Sequence, residues 1–209
     1  MSRPDAVMPV RSEAPVAIES RALGTLAYIR ASIESSSSMD VPGMAGIAMG
    51  VVGLLAAVIV SLPGFTPHWL RIWLVASAIA LLVGGASVLR QIAARGRSRY
   101  LGPLRKFLLC LCPALFAGAV LTWTLVRTGM SGVVPGVWLL LYGCAVLSAS
   151  TVVSAVVARY LCVMGAAFAA LGMVTSALPA AAHNLMLGLG FGVLHVVFGV
   201  LIGRLTHVD

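Results

Sequence analysis

From Val41 onward the chain consists of long apolar runs interrupted only by widely spaced arginines and short Pro, Gly or Ser clusters. A hydrocarbon layer of roughly 30 Å takes about 20 helical residues to cross, so each run between charges converts into a number of crossings. The run from Asp40 to Arg71 is broken at 61–67, Ser-Leu-Pro-Gly-Phe-Thr-Pro, which predicts one helix over 43–62 and then a turn. Arg71 to Arg90 predicts a helix over 70–89, and Lys106 to Arg127 one over 107–126, closed by Thr128-Gly-Met-Ser-Gly132. Pro135-Gly136 opens the next, 137–156. Between Arg159 and Arg204 lie 44 uncharged residues, which predict two helices, 161–179 and 184–203, joined around Pro179-Ala-Ala-Ala-His-Asn184. The expected fold class is all-α: a polytopic membrane protein with a bundle of six transmembrane helices over 41–204. The turn between the fourth and fifth helices is expected at Val157-Ala-Arg-Tyr160, which holds no Gly, Pro or Asn.

Ahead of the apolar runs the pattern changes. Residues 1–16, with Pro4, Pro9 and Pro15, read as a disordered cytoplasmic tail. Ile18, Ala22, Leu26, Ile29 and Ile33 then recur at spacings of four, four, three and four, lining one face of an amphipathic helix; with the serines Ser35–Ser38 it makes an interfacial segment over 17–40. The first apolar run begins only near Gly43, after polar residues of mixed charge, so no cleavable leader is expected and the first helix stays as an anchor. Residues 205–209 form a short tail.

Composition removes the soluble alternatives. The chain is 60% hydrophobic and 10% charged, against about 45–50% and about 25% in ordinary soluble domains. The formal charge of +8 is unevenly placed: Asp5, Glu13, Glu19, Glu34, Asp40 and Asp209 are all of the acids, so Val41–Val208 carries ten Lys or Arg and no carboxylate. Charges that punctuate apolar runs mark a membrane protein, and no nucleic-acid partner is expected. Arg90, Arg95, Arg97, Arg99, Arg105 and Lys106 hold six of the fourteen positive charges on one linker. An excess of Lys and Arg marks cytoplasmic loops, so this linker and both termini are placed inside, in a plasma membrane of the bacterial inner-membrane type. Arg71 and Arg127 then remain outside, with Trp69, Trp73, Trp123 and Trp138 at outer headgroup level and Tyr100 and Tyr160 at the inner one. The basic linker would rest against anionic lipid, each charge contributing about 1 kcal/mol.

Without an acid in the helices, proton-coupled pumps, hard-cation sites and paired-carboxylate hydrolases lose their usual groups. His195, near the middle of the sixth helix, is the remaining intramembrane titratable group. Asn184, Gly188, Gly192, His195, Gly199 and Gly203 fall on one face at about 100° per residue. That puts His195 in a glycine-lined groove, while Gly43, Gly46, Gly50 and Gly53 make a similar stripe in the first helix. These faces are expected to pack against each other or against the second and fifth helices. His68 and His183 could meet at the outer end, but two ligands without a third are a weak metal signal. Cys110 and Cys112 are two apart, on opposite sides of a helix, and a Cys110–Cys162 thiol pair across helices is conceivable. No cofactor and no metal are expected.

Six helices with a histidine in the sixth followed by four-spaced glycines invite comparison with rhomboid proteases. The serines here, in Leu147-Ser-Ala-Ser-Thr-Val-Val-Ser154, lie deeper and lack the G-x-S-G frame, and the histidine precedes glycine by four positions rather than three. An intramembrane Ser/His hydrolase is therefore a remote alternative. Leu26-Ala-Tyr-Ile-Arg-Ala-Ser-Ile-Glu34 running into Val41-Pro-Gly-Met-Ala-Gly-Ile-Ala-Met-Gly50, and His183-Asn-Leu-Met-Leu-Gly-Leu-Gly-Phe-Gly192, resemble segments of multi-span bacterial integral membrane proteins, a resemblance that implies no activity. The expected function is that of a non-catalytic membrane subunit or scaffold binding a protein partner or a second copy. The alternative is a small permease or channel for a neutral or anionic solute, lined by His195 and Asn184.

Overall fold

Prolines and glycines end most of the long helices. The computed structural model describes residues 23–26, 28, 41–95 and 97–206, without the side chains at 95, 97–99 and 206. The chain divides into two units, Met1–Ser36 and Ser37–Asp209. In the first unit residues 23–26 and 28 are helical and exposed; the rest of the expected tail and amphipathic segment lies outside the described residues, as does His207. The second unit holds α1 (Gly43–Ser61), α2 (Trp69–Arg95), α3 (Arg97–Arg127), α4 (Val134–Ala149) and α5 (Ala155–Ala177). A sixth segment joins α6 (Ala180–Leu187), a π-helical stretch (Gly188–Leu194) and α7 (His195–Thr206). All six segments are long and apolar enough to cross a membrane, and no strand occurs among the described residues.

After α1, Leu62 is extended and Gly64 turns the chain at φ 85°, a region where a side chain would strain the backbone. After α3, Gly129 takes φ 77° while the Met130 amide bonds the Leu125 carbonyl at 2.8 Å and the Gly129 amide bonds Val126 at 3.2 Å, a Schellman closure. Extended Leu178 and Pro179 separate α5 from α6.

Two boundaries differ from the expectation. The basic linker is itself helical: α2 runs on to Arg95 and α3 begins at Arg97, with Pro103 and Pro113 accommodated inside α3. Arginine and leucine are good helix formers, and a charge that ends an apolar run does not oblige the helix to end. The turn between α4 and α5 lies at 150–154, ahead of Val157–Tyr160. There the Ser150 hydroxyl donates to the Leu147 carbonyl at 2.6 Å and Thr151 to Ser148 at 2.7 Å, tightening the helix end into a 3₁₀ turn. The β-branched run Thr151-Val152-Val153 weakens helix further, Val153 is extended, and the helix restarts after Ser154.

Four segments form the core and two are peripheral. α1 lies antiparallel to the sixth segment, Gly43 facing Gly203 at one end and Gly53 facing Phe191 at the other. α4 and α5 form the second close pair. α2 leans on α1 and α3 on α4. Only 11% of the most apolar stretch of α2 and 6% of that of α3 is buried, against 44% in α4 and in the sixth segment. Leu74, Leu82, Leu109 and Phe116 are accordingly turned outward.

Candidate functional site

Asn184 lies in the second turn of the sixth segment, and its amide is fully engaged. Its Nδ2 donates to the Ala57 carbonyl at 2.9 Å and to Ser61 Oγ at 3.0 Å, both on α1. Its Oδ1 accepts from Trp73 Nε1 on α2 at 3.1 Å. One side chain thereby ties three helices at a single level. Trp73 is buried (3% exposed), so it serves this knot and is not the headgroup anchor that its position at a helix end suggests. Trp69 packs on Trp138, whose Nε1 donates to Thr122 Oγ1 of α3 at 2.6 Å. Trp123 alone of the four is strongly exposed, and the Arg127 guanidinium lies 5.0 Å above its ring.

His195 begins α7, after the π-helical stretch, and is 5% exposed. Its side chain leaves toward α4 and α5, where Nε2 meets the Tyr142 hydroxyl at 2.7 Å. Phe168 stands edge-on at 5.4 Å between ring centres and Phe191 lies nearly parallel at 6.2 Å. The Gly190 carbonyl approaches the ring, yet Nδ1 has no hydrogen bond of good geometry. The glycine-lined groove does not hold this imidazole. Toward α1 His195 presents its backbone carbonyl, 3.5 Å from where a Gly46 Cβ would lie, and Val196 carries the side chain that faces Gly50. Gly190 opens the other side, because a Cβ there would stand 3.1 Å from Phe168 Cε1.

The glycines of α1 and of the sixth segment are turned into one another. A Cβ on Gly50 would come within 2.8 Å of the Gly192 carbonyl oxygen, one on Gly199 within 2.7 Å of the Ile47 amide, and one on Gly188 within 2.9 Å of Ala57 Cβ. Gly43 and Gly203 close the seam at its far end. Small residues that let helix backbones approach closely gain van der Waals contact along such a seam.

A second seam was not anticipated from the sequence. Gly136 and Gly143 of α4 face Gly172 and Gly165 of α5, and a Cβ on Gly143 would stand 2.7 Å from the Ala169 amide. The signal was present as two glycine pairs, each seven residues apart. Two of the aromatic partners of His195 lie 53 and 27 residues back along the chain at Tyr142 and Phe168, and nothing in their local pattern points to it.

The remaining candidates are not brought together. Cys162 Sγ is 3.2 Å from Ser150 Oγ, so its polar neighbour is that hydroxyl and not Cys110, and all four cysteines are free. His183 Nε2 lies 3.0 Å from the Leu178 carbonyl. Among the described residues no three His, Cys, Asp or Glu converge on a common point. The serines expected for a Ser/His pair do not meet His195, whose Nε2 is held by Tyr142. Arg90, Arg105 and Lys106 sit at one end of the bundle with Arg159 and Arg204, while Arg71 and Arg127 sit at the other; the side chains of Arg95, Arg97 and Arg99 lie outside the described residues. No protein-family model, no curated protein and no solved structure matches this chain.

Proposed function

We propose that the chain is an integral membrane subunit or scaffold without catalytic chemistry of its own, a six-helix bundle that presents α2 and α3 to lipid or to a partner protein. The observation that carries this reading is that its candidate pathway residues are held or enclosed by the bundle's own side chains. Asn184 uses its donors and acceptor on α1 and α2, and His195 is enclosed by Tyr142, Phe168 and Phe191. Two surface grooves, one along α3 and one between α5 and the sixth segment, are lined almost wholly by apolar side chains and include neither residue. A solute path would need those polar groups facing a cavity.

The charge distribution supports an orientation with the α2–α3 junction and both termini on the cytoplasmic side of a plasma membrane of the bacterial inner-membrane type. That side then collects twelve of the fourteen Lys and Arg, leaving Arg71 and Arg127 outside. The reading is tested by purification from native membranes in mild detergent, with proteoliposome flux of small neutral and anionic solutes measured in parallel. A stoichiometric protein companion, or a defined homo-oligomer, with no flux is the expected result. Flux abolished by His195→Ala or Asn184→Ala would replace this reading with the permease.

A further inference from the structure

A groove on the bundle surface carries a charge among its apolar lining. Along α3, Leu101, Leu104, Leu108, Leu109 and Cys112 line a shallow open depression that also takes in Arg105. From Arg105 to Cys112 the helix rises about 10 Å, less than half of a roughly 30 Å hydrocarbon layer, so the apolar part of the groove lies within one leaflet. Arg105 and Arg127 are about 33 Å apart along the same helix, which places Arg105 at the inner boundary once Arg127 marks the outer one. The cavity, about 290 Å³, falls short of the roughly 300–1,000 Å³ typical of small-molecule sites, and it is open along its length. That shape suits one acyl chain lying in it better than an enclosed solute.

Charge selects the headgroup. Arg105 and its neighbour Lys106 are both exposed, and no acid occurs anywhere from Val41 to Val208 to neutralise them. Pro113, also exposed, has no amide hydrogen to offer the Leu109 carbonyl one turn before it, so this lining residue keeps an acceptor without its helical donor. We propose that the α3 groove is a binding site for an anionic phospholipid of the cytoplasmic leaflet, its phosphate on Arg105 and one acyl chain along Leu104, Leu108 and Cys112. The inference rests on the reading of the six segments as membrane spans.

The test uses the full chain carrying Leu109→Trp, a 63%-exposed position, reconstituted in vesicles of brominated phosphatidylglycerol or brominated phosphatidylcholine. The parent chain is measured in parallel to subtract its four native tryptophans. Bromine quenching of the new indole is expected to show phosphatidylglycerol held about fivefold more strongly, the ratio that one surface charge supplies. Arg105→Gln should bring that ratio to about one, and Arg105→Lys should keep most of it. Equal quenching by the two lipids, or a preference that survives Arg105→Gln, overturns the lipid site while leaving the spans intact. Absence of quenching by either lipid overturns the membrane reading and the site with it.

Discussion

The Tyr142 hydroxyl stands 2.7 Å from His195 Nε2, joining α4 to the start of α7 inside a cluster of aromatic rings. Tyr142 is the hydrogen-bonding partner of an imidazole whose other nitrogen has none of good geometry. Tyr142 is half-buried and His195 buried, so the loss of either leaves the other a polar group short of its partner.

Tyr142→Phe should therefore destabilise the bundle by about 1–3 kcal/mol, the usual cost of leaving a buried polar atom unsatisfied. His195→Leu should be costly for the same reason, through the stranded hydroxyl. Combining the two should cost less than the sum of the singles, because both partners then become apolar. Thermal unfolding of the purified chain in detergent measures all three, and strict additivity would show that the contact contributes nothing.

The glycine seams predict a positional pattern of damage. Gly199→Ala and Gly143→Ala place a methyl group against backbone at 2.7 Å and should each cost about 1–3 kcal/mol. Gly85→Ala meets nothing within 4 Å and should be neutral or slightly stabilising, since alanine is the better helix former. Unfolding midpoints of these variants in one detergent check the ranking.

Asn184→Leu removes two donors and leaves Trp73 Nε1 buried without its acceptor. A loss of about 1–3 kcal/mol is expected. Trp73→Phe on that background should recover part of it by removing the stranded donor. Near-ultraviolet circular dichroism and thermal melts follow the two variants, and a melt unchanged by Asn184→Leu would remove the knot from the account.

Gly129 offers a test away from the helix contacts. Its φ of 77° closes α3, and nothing lies within 4 Å of a Cβ placed there. Gly129→Ala should cost about 1–2 kcal/mol through the backbone alone, and Gly132→Ala, nearby and also in open space, serves as the reference.

Orientation can be read chemically. With the four native cysteines replaced by alanine, Thr66→Cys and Gly132→Cys should react with a membrane-impermeant maleimide in intact cells, and Thr151→Cys should react only after the membrane is opened. The reverse pattern would invert the bundle.

The chain by itself determined how many long apolar helices form and roughly where they start, because that is settled residue by residue along each segment: length against a fixed thickness, charge against burial, proline and glycine at most of the turns. Two local boundaries fell elsewhere: the basic linker stayed helical, and the α4–α5 turn formed where hydroxyl side chains and β-branched residues did the work of a glycine. Which groups meet was decided only by tertiary structure. Asn184 finds partners 111 and 127 residues away, and the direction of the His195 ring depends on aromatic side chains from two other helices as well as on the π-helical stretch before it. Helical periodicity lays side chains around one axis, but it carries no information about how that axis is rotated against its neighbours; the interlocked glycine backbones set that rotation.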